Sequence, residues 1–292
     1  MFAILMQFSS KKIAGIIMRV EACCQVVLEQ LLPIIDQKRE GICIDVGVGT
    51  FAFYCERFSR LGFNTVAVEP LPVKKLQKLC QYYNIRLIKC CLSDIDGVQN
   101  LYMGKFFGLF NHNFNSLSPD WFGASQDIKQ VKSMTLSSLL SSINAQKITC
   151  IKFDVEGWES KIIKQFNELP PSLLPRVVMF EYGGGTSKQN GKRGWSSTFL
   201  NATLECLTVL KQCGYGFSMM VDYAYSAKET IFDLQSSNLD IDEIIPSYSI
   251  YGNIISFKNW NYPEEKITQI CSPYYGGVAH RFLTTIFSIT LN

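Results

Sequence analysis

The chain has 292 residues, 47% of them hydrophobic and 18% charged, with a formal net charge of +3. That length suits one large domain or two small ones, and that composition belongs to a folded globular protein and excludes a disordered one. So small a charge, with no Lys/Arg run, excludes a nucleic-acid-binding surface of the usual basic kind.

Eleven cysteines make an odd number and contain no CxxC pair, which fits reduced thiols in a cytoplasmic protein better than a disulfide framework. Cys43, Cys90, Cys91 and Cys150 fall inside apolar strand-like runs, where cysteine behaves as a small buried hydrophobe. His112 and His280 stand at no metal-ligand spacing to the cysteines, so no metal site is expected. No stretch reaches the ~20 uninterrupted apolar residues of a membrane span, and the N-terminus lacks a basic n-region and a small-residue cleavage site.

In chain order, Val20, Cys23, Cys24, Val27, Leu28, Leu31 and Leu32 recur at helical spacing, with Arg19, Glu21, Gln25, Glu29 and Gln30 off that face. They predict an amphipathic helix, ended or kinked near Pro33. Residues 1–40 are therefore expected to be a helical segment packed on a single domain spanning 41–292. Residues 42–46 read as a buried strand broken by Gly47 and Gly49, before a helix carrying Tyr54, Cys55, Phe58 and Leu61 and stopped at Gly62. Strand, glycine turn and helix build a backbone cradle for a nucleotide-like ligand. An ordinary β–α turn would look the same in isolation.

Residues 64–68 predict a second strand ending in Glu69-Pro70, then a helix from Pro72 with Leu76, Leu79, Cys80 and Tyr83 on one face. Residues 85–92 predict a third strand, closed by a turn from Ser93 to Gly97. The alternation implies a parallel sheet with right-handed crossovers. Residues 98–132 break the rhythm. A short strand is expected near Leu101, and residues 104–127, rich in Gly, Asn, Phe and Ser, read as a long functional loop. Thr135 is expected to cap a short helix. A fourth strand at 148–153 runs into Asp154-Val-Glu156-Gly157-Trp158-Glu159, with a helix to about Phe166, and a fifth at 177–180 ends at Glu181. A second loop follows at 183–195, then a helix with Phe199, Leu204, Leu207 and Leu210, capped by Ser196 or Ser197. Strands at 217–221 and 250–257 close the chain around an unassigned polar segment.

Asp45, Glu69, Asp94, Asp154 and Glu181 each fall at or just past the end of a predicted strand. In an open parallel sheet those ends share the ligand-binding edge. Carboxylates placed there without partners would otherwise be a cost. The separation of Glu69 from Asp45 is near the ~20 residues expected of a carboxylate that grips ribose hydroxyls. A charge ahead of the helix that starts at Pro72 is the alternative reading of Glu69. Ser93 and Asp94 would read an adenine edge or form a plain turn. An acid at the first strand end sits poorly beside a pyrophosphate. It suits a ligand carrying an ammonium and a sulfonium, which favours S-adenosylmethionine over NAD.

The segments Ile44-Asp-Val-Gly47, Val68-Glu-Pro70, Cys91-Leu-Ser-Asp94-x-x-Gly97, Asn115-Ser-Leu117, Thr135-Leu136 and Ile151-Lys-Phe-Asp154-Val-Glu156-Gly157-Trp-Glu159 run in that order within residues 42–181. Together they resemble the FkbM family of S-adenosylmethionine-dependent methyltransferases. The resemblance implies an α/β, Rossmann-like class I methyltransferase, with a seven-stranded mostly parallel sheet and helices on both faces. It implies that Asp45, Gly47 and Gly49, with Thr50, form the cofactor loop, that Glu69, beside Pro70, holds the ribose, and that Ser93 and Asp94 lie near adenine. Asp154 and Glu156 would face the methyl-transfer site. The family usually carries Asn where this chain has Gly49, Gly where it has Phe51, and Asp where it has Ser137.

Methyl transfer needs the acceptor aligned with an already activated carbon. A hydroxyl acceptor also needs a general base, for which Asp154, Glu156 and His112 are candidates. Asn115 and Glu181 are candidate acceptor contacts. Lys192 and Arg193, with Lys188, would instead hold the charge of a carboxylate acceptor. The expected function is therefore O-methylation in natural-product biosynthesis, on a sugar or polyketide hydroxyl or a peptide carboxylate. A cofactor-binding scaffold without catalysis and an NAD-linked enzyme are the alternatives. The sequence does not specify an oligomeric state.

Overall fold

The computed structural model describes residues 19–50, 52–106, 109–121, 123–183, 197–223, 228–239, 244–245, 249 and 251–275. Helix α1 (Arg19–Ile35) leads into strand β1 (Ile42–Val46). Then come α2 (Phe53–Arg60), β2 (Asn64–Val68), α3 (Lys74–Tyr82), β3 (Arg86–Ile88) and β4 (Cys91–Leu92). The next segment contributes β5 (Gly97–Phe106), β6 (Leu109–Phe110) and β7 (Ala124–Met134). Helix α4 (Leu136–Ser142), β8 (Ile148–Phe153), the short α5 (Glu159–Ile163) and β9 (Val177–Gly183) follow. Helix α6 (Ser197–Gln212), β10 (Tyr215–Asp222), β11 (Thr230–Asp233), β12 (Tyr251–Lys258) and α7 (Glu264–Cys271) complete the elements used below.

Strand β1 pairs in parallel with β2 on one side and β8 on the other, and β3 and β9 extend the parallel block outward. These strands are covered on both faces, which is why they read as continuous apolar runs. Ile44, Val46, Ile151 and Phe153 point to a core shared with α4, α5 and α6. Cys43 and Cys150 point to the opposite core, built with α1, α2 and α7. Beyond β9 the direction reverses at β12, and β10 lies antiparallel to β12. The sheet has eight strands and not the expected seven among the described residues: β11 adds one, antiparallel to β10.

Two expectations are corrected. Residues 85–92 are not one strand, because the chain leaves the main sheet after Ile88 and re-enters as β4 of a second sheet ordered β4-β7-β5-β6. The loop expected at 104–127 is shorter than that, because β5 and β7 form an antiparallel ladder that takes in 97–106 and 124–134 and leaves the connection between them. Only one face of that ladder is buried, through Leu101, Met103, Val131 and Ser133. The solvent face carries Asn, Gln and Lys, so composition hides the period of two. Thr135 caps α4 as expected, its Oγ1 accepting from the Ser138 N–H at 3.2 Å.

Helix α1 packs on the main domain through Val20, Cys23, Cys24, Val27, Leu28, Leu31 and Leu32, all of them buried. Pro33 lies in its last turn, and the helix continues to Ile35. Asp36 then clamps the helix end to β1 and β8. Its Oδ2 accepts from Thr149 Oγ1 at 2.5 Å and from the Gly41 N–H at 2.9 Å, and its Oδ1 accepts from the Glu40 N–H at 3.3 Å. All eleven cysteines are free. No helix among the described residues is long and apolar enough to cross a membrane.

Burial opposes the charge on Asp36, but its donors, Thr149 foremost, outweigh burial and hold the pKa below the usual carboxylate value of 3.8. Removing it strands three donors, so Asp36→Ala is expected to lower unfolding free energy by about 2–4 kcal/mol at pH 7 in urea melts. A depressed folded pKa gives stability above the unfolded value that is lost as pH falls through the folded one. The gap between wild type and variant should therefore close below about pH 4.

Candidate active site at the strand ends

A cavity of about 300 Å³ opens at the C-terminal ends of β1, β2, β8 and β9. Its floor is the glycine turn after β1. Gly47 has φ +75, and a Cβ there would lie 1.7 Å from the Asp154 carbonyl oxygen, so only glycine lets these two backbones pass. Gly49 donates its N–H to Glu69 Oε2 at 3.0 Å, and Leu71 donates to Glu69 Oε1 at 3.0 Å. These bonds fix the Glu69 carboxylate at the rim of the turn while leaving further lone pairs for a ligand. Burial pushes its pKa above the ordinary value.

Asp45 is 1% exposed and ends β1. Its Oδ2 accepts from the Cys55 thiol at 3.1 Å. Its register partner on β8 is Lys152, whose ammonium lies 3.3 Å from Oδ1 as an ion pair. That approach lacks hydrogen-bond geometry, so among the described residues Oδ1 is a buried acceptor with no hydrogen-bond donor. Lys152 also lies 3.1 Å from Asp154 Oδ2. Burial works against its charge, but Asp154, then Asp45 and Glu21, outweigh burial and raise its pKa, so it stays an ammonium.

Asp154, Glu156 and Glu181 bring carboxylate oxygens within 4.8 Å of one another. Glu156 Oε2 accepts from the Trp121 indole N–H, and the Glu156 carbonyl accepts from Ser116 Oγ at 2.6 Å. The Glu156 backbone is left-handed, with φ +54, a conformation held in place by these two bonds from the β5–β7 segment. Burial first and Asp154 second raise the pKa of Glu156 and of Glu181 well above the ordinary value. Three such oxygens could surround a cation, but Lys152 already supplies the counter-charge to Asp154.

The structure brings together Asp45, Gly47, Gly49, Thr50, Glu69, Pro70, His112, Asn115, Asp154, Glu156 and Glu181 around this cavity. His112 is exposed, on a short 3₁₀ turn. Asn115 has an architectural contact, its Oδ1 accepting from the Gly104 N–H at 2.8 Å. Ser93 and Asp94 do not join the cavity lining. Ser93 is fully buried, its hydroxyl accepting from Gln99 at 2.7 Å and from the Trp158 indole at 3.1 Å. Asp94 is exposed, and Cys90, Cys91 and Leu92 form the cavity wall at that strand end. The chain crosses there from one sheet to the other, which turns Ser93 away from the cavity. Phe51, Lys188, Lys192 and Arg193 lie outside the described residues.

Sequence reasoning missed four contributors. Lys152 sat inside the segment from Ile151 to Glu159, and its alternation with Cys150 was the available signal. Asn113 closes over the turn, its Oδ1 accepting from Thr50 N–H at 3.1 Å and Thr50 Oγ1 at 2.6 Å. Trp121 and Glu21 carry no local signature, since each is brought in by tertiary packing.

Seven of the strands follow the order β3-β2-β1-β8-β9-β12-β10, with only β12 reversed. That topology, with a glycine turn and acids at the ligand edge, defines a Rossmann-like class I methyltransferase. Residues 41–217 match the Methyltransferase FkbM domain, and the chain belongs to that family, whose methyl donor is S-adenosylmethionine. It is similar to a 1,6-didemethyltoxoflavin N1-methyltransferase of Burkholderia thailandensis solved with S-adenosylhomocysteine, at 10% identity over 80% of this chain and 77% of that one, TM-score 0.35. It is similar also to the C-terminal domain of a precorrin-6Y C5,15-methyltransferase of Rhodobacter capsulatus, at 10% identity over 79% and 86%, TM-score 0.36. A third is magnesium protoporphyrin IX methyltransferase of Synechocystis PCC 6803 with bound S-adenosylhomocysteine, at 10% over 82% and 85%, TM-score 0.35. No curated protein matches the chain.

Glu159, 7% exposed, braces the motif by accepting the Val155 N–H at 2.9 Å, and burial pushes its pKa up to about 7 from 4.5. A raised folded pKa means that charging costs the folded state, so stability present below pH 4.5 is lost as pH rises through about 7. Glu159→Gln keeps the acceptor without the charge. It is expected to be stabilised relative to wild type by up to about 3 kcal/mol at pH 8 and not at pH 4, read from paired thermal melts.

Proposed function

We propose that the chain transfers the methyl group of S-adenosylmethionine to a hydroxyl of a small uncharged acceptor, such as a sugar or polyketide, with Glu156 as general base. The observation that carries this reading is the Glu156 carboxylate, fixed by Trp121 beside Asp154 and Glu181 in an environment that raises its proton affinity. A carboxylate with raised pKa is a better base at neutral pH than an exposed one. Asp154 is the weaker candidate, because Lys152 binds its Oδ2.

The residues fit the donor. Asp45 Oδ1 is a buried acceptor whose Lys152 ion pair at 3.3 Å leaves it without a hydrogen bond among the described residues, and the Gly47 turn leaves room for close backbone approach. In this reading Glu69 holds the ribose hydroxyls, and its position in the cavity lining beside Thr50 and Pro70 supports that role. The wall of Cys90, Cys91 and Leu92 supplies the apolar surface for adenine. When bound, the donor supplies a methyl already activated on sulfonium. The protein orients the acceptor oxygen, takes its proton on Glu156 and excludes water.

An acceptor carboxylate is disfavoured because it would enter beside Asp154, Glu156 and Glu181, a cluster in which burial and mutual repulsion already oppose negative charge. The eleven free cysteines support a reducing, cytoplasmic setting.

Glu69→Ala is expected to weaken S-adenosylhomocysteine binding by about 10- to 100-fold in calorimetry, because it also strands the Gly49 and Leu71 N–H groups. Glu156→Gln is expected to leave that affinity within about twofold and lower kcat by about 10²- to 10⁴-fold. In wild type, kcat/KM should rise with pH through a limb above the ordinary carboxylate value, since only the deprotonated base works. That limb should vanish in the variant. A labelled product that is stable to base would establish an ether. Undiminished turnover in Glu156→Gln would remove Glu156 as the base.

A further inference from the structure

One carboxylate at the cavity comes from outside the segment that matches the family. Glu21, on α1, precedes residues 41–217 yet lines the same cavity as Asp45, Lys152 and Asp154. Its position is fixed at both oxygens. Oε2 accepts from the Tyr54 hydroxyl at 2.6 Å, and Oε1 accepts from Asn253 Nδ2 at 2.7 Å. Tyr54 opens the helix that follows the glycine turn, and Asn253 is the register partner of Glu181 on β12. Glu21 is therefore tied both to the donor loop and to the far side of the sheet edge.

The strand order gives this part of the cavity a meaning. Across the sheet, Glu69 ends β2, Asp45 ends β1, Asp154 follows β8 and Glu181 lies on β9. A donor with its ribose on Glu69 and its base on the Cys90–Leu92 side must run its amino-acid tail the other way, across β1 toward β8. That path passes Lys152, whose ring contact is Tyr54 at 5.2 Å. Around it the carboxyls of Asp45, Asp154 and Glu21 face one ammonium, and burial, then Asp154, raises the pKa of Glu21, so a further cation beside it would be what favours its charged form. Asp45 Oδ1, 1% exposed as a residue, also lacks a hydrogen-bond donor among the described residues. A second ammonium satisfies both the charge and the orphaned oxygen.

We propose that Glu21 is a donor-binding residue that, with Asp45, recognises the α-ammonium group of S-adenosylmethionine, making α1 part of the active site. The proposal rests on the donor reading given above and adds to it the residue that recognises the amino-acid tail. It follows that the methyl donor and the N-terminal helix stabilise each other, because the charge on one is answered by the other.

The test compares three ligands by calorimetry on the full chain: S-adenosylhomocysteine, its decarboxylated analogue, which keeps the ammonium, and 5′-methylthioadenosine, which lacks the tail. Glu21→Gln is expected to weaken the first two by about 10- to 100-fold and the third by less than about twofold, the loss of one charged hydrogen bond. Tyr54→Phe removes only the hydroxyl that positions Glu21, and it should show the same pattern at a few-fold, providing the test if Glu21→Gln does not fold. Equal weakening of all three ligands would overturn the proposal, because Glu21 would then act by shaping the cavity. Unchanged affinity for the two tailed ligands would overturn it as well. If wild type bound none of the three, the donor reading itself would fall, an outcome distinct from any in which wild type binds and the variant does not discriminate.

Discussion

The site depends on one buried cation. Lys152 is 4% exposed at the end of the central strand β8, with Asp45 on its register neighbour and Asp154 two residues on. A lone ammonium at that depth would be prohibitively costly, and so would the buried Asp45 carboxylate without it. Held together, they fix charge in the middle of the ligand edge, where the parallel strands end. The Lys152 ammonium also lies 3.5 Å from the Gly47 carbonyl, so the same group ties the glycine turn to β8. Buried pairs of this kind contribute little net stability. Their consequence here is geometric, since the turn, the first acid and the motif after β8 cannot move independently.

The second sheet acts on the other half of the cavity. From the β5–β7 segment come Asn113, which closes over Thr50, and Ser116 and Trp121, which grip Glu156 from its carbonyl and its carboxylate. Trp121 is itself packed edge-on against Phe199 of α6, ring centroids 4.8 Å apart. The strained backbone of Glu156 is thus supported from two directions, as a site residue held off its preferred conformation must be. An insertion that composition presents as a loop is in fact the scaffold that positions the proposed base.

What the sequence made legible were features that depend on neighbours in the chain. The strand, its two glycines and the helix after them form one local unit, and acids at Glu69, Asp154 and Glu181 follow strands whose apolar runs are unmistakable. The α1 face, from Val20 to Leu32, was legible for the same reason, because a period of 3.6 needs no partner to be seen. Ser93 was misread because the strand before it splits between two sheets, a tertiary event with no local mark. Lys152 was passed over because an apolar strand with one lysine gives no hint that an aspartate on the adjacent strand faces it. Glu21 looked like the polar side of an amphipathic helix, and so it is. What the helix turns toward, however, is a charged cavity and not water.

Charge ties these parts into one argument about selectivity. Asp45, Glu69, Asp154, Glu156, Glu181 and Glu21 line the cavity against Lys152, while Leu92, Leu101 and Leu117 form its apolar side. In the proposed reading such a surface suits a cation with an apolar base better than an anionic dinucleotide, whose pyrophosphate would meet the Asp45 side of the cavity at close range. On that reading the preference is stronger for a positively charged sulfur and weakens when the sulfur becomes a neutral thioether, while the ammonium of the tail remains. The electrostatics that gather the donor therefore relax once the methyl has left. Product retention would then rest on the ribose and the amino-acid tail, the two ends that the proposals above give to Glu69 and to Asp45 with Glu21.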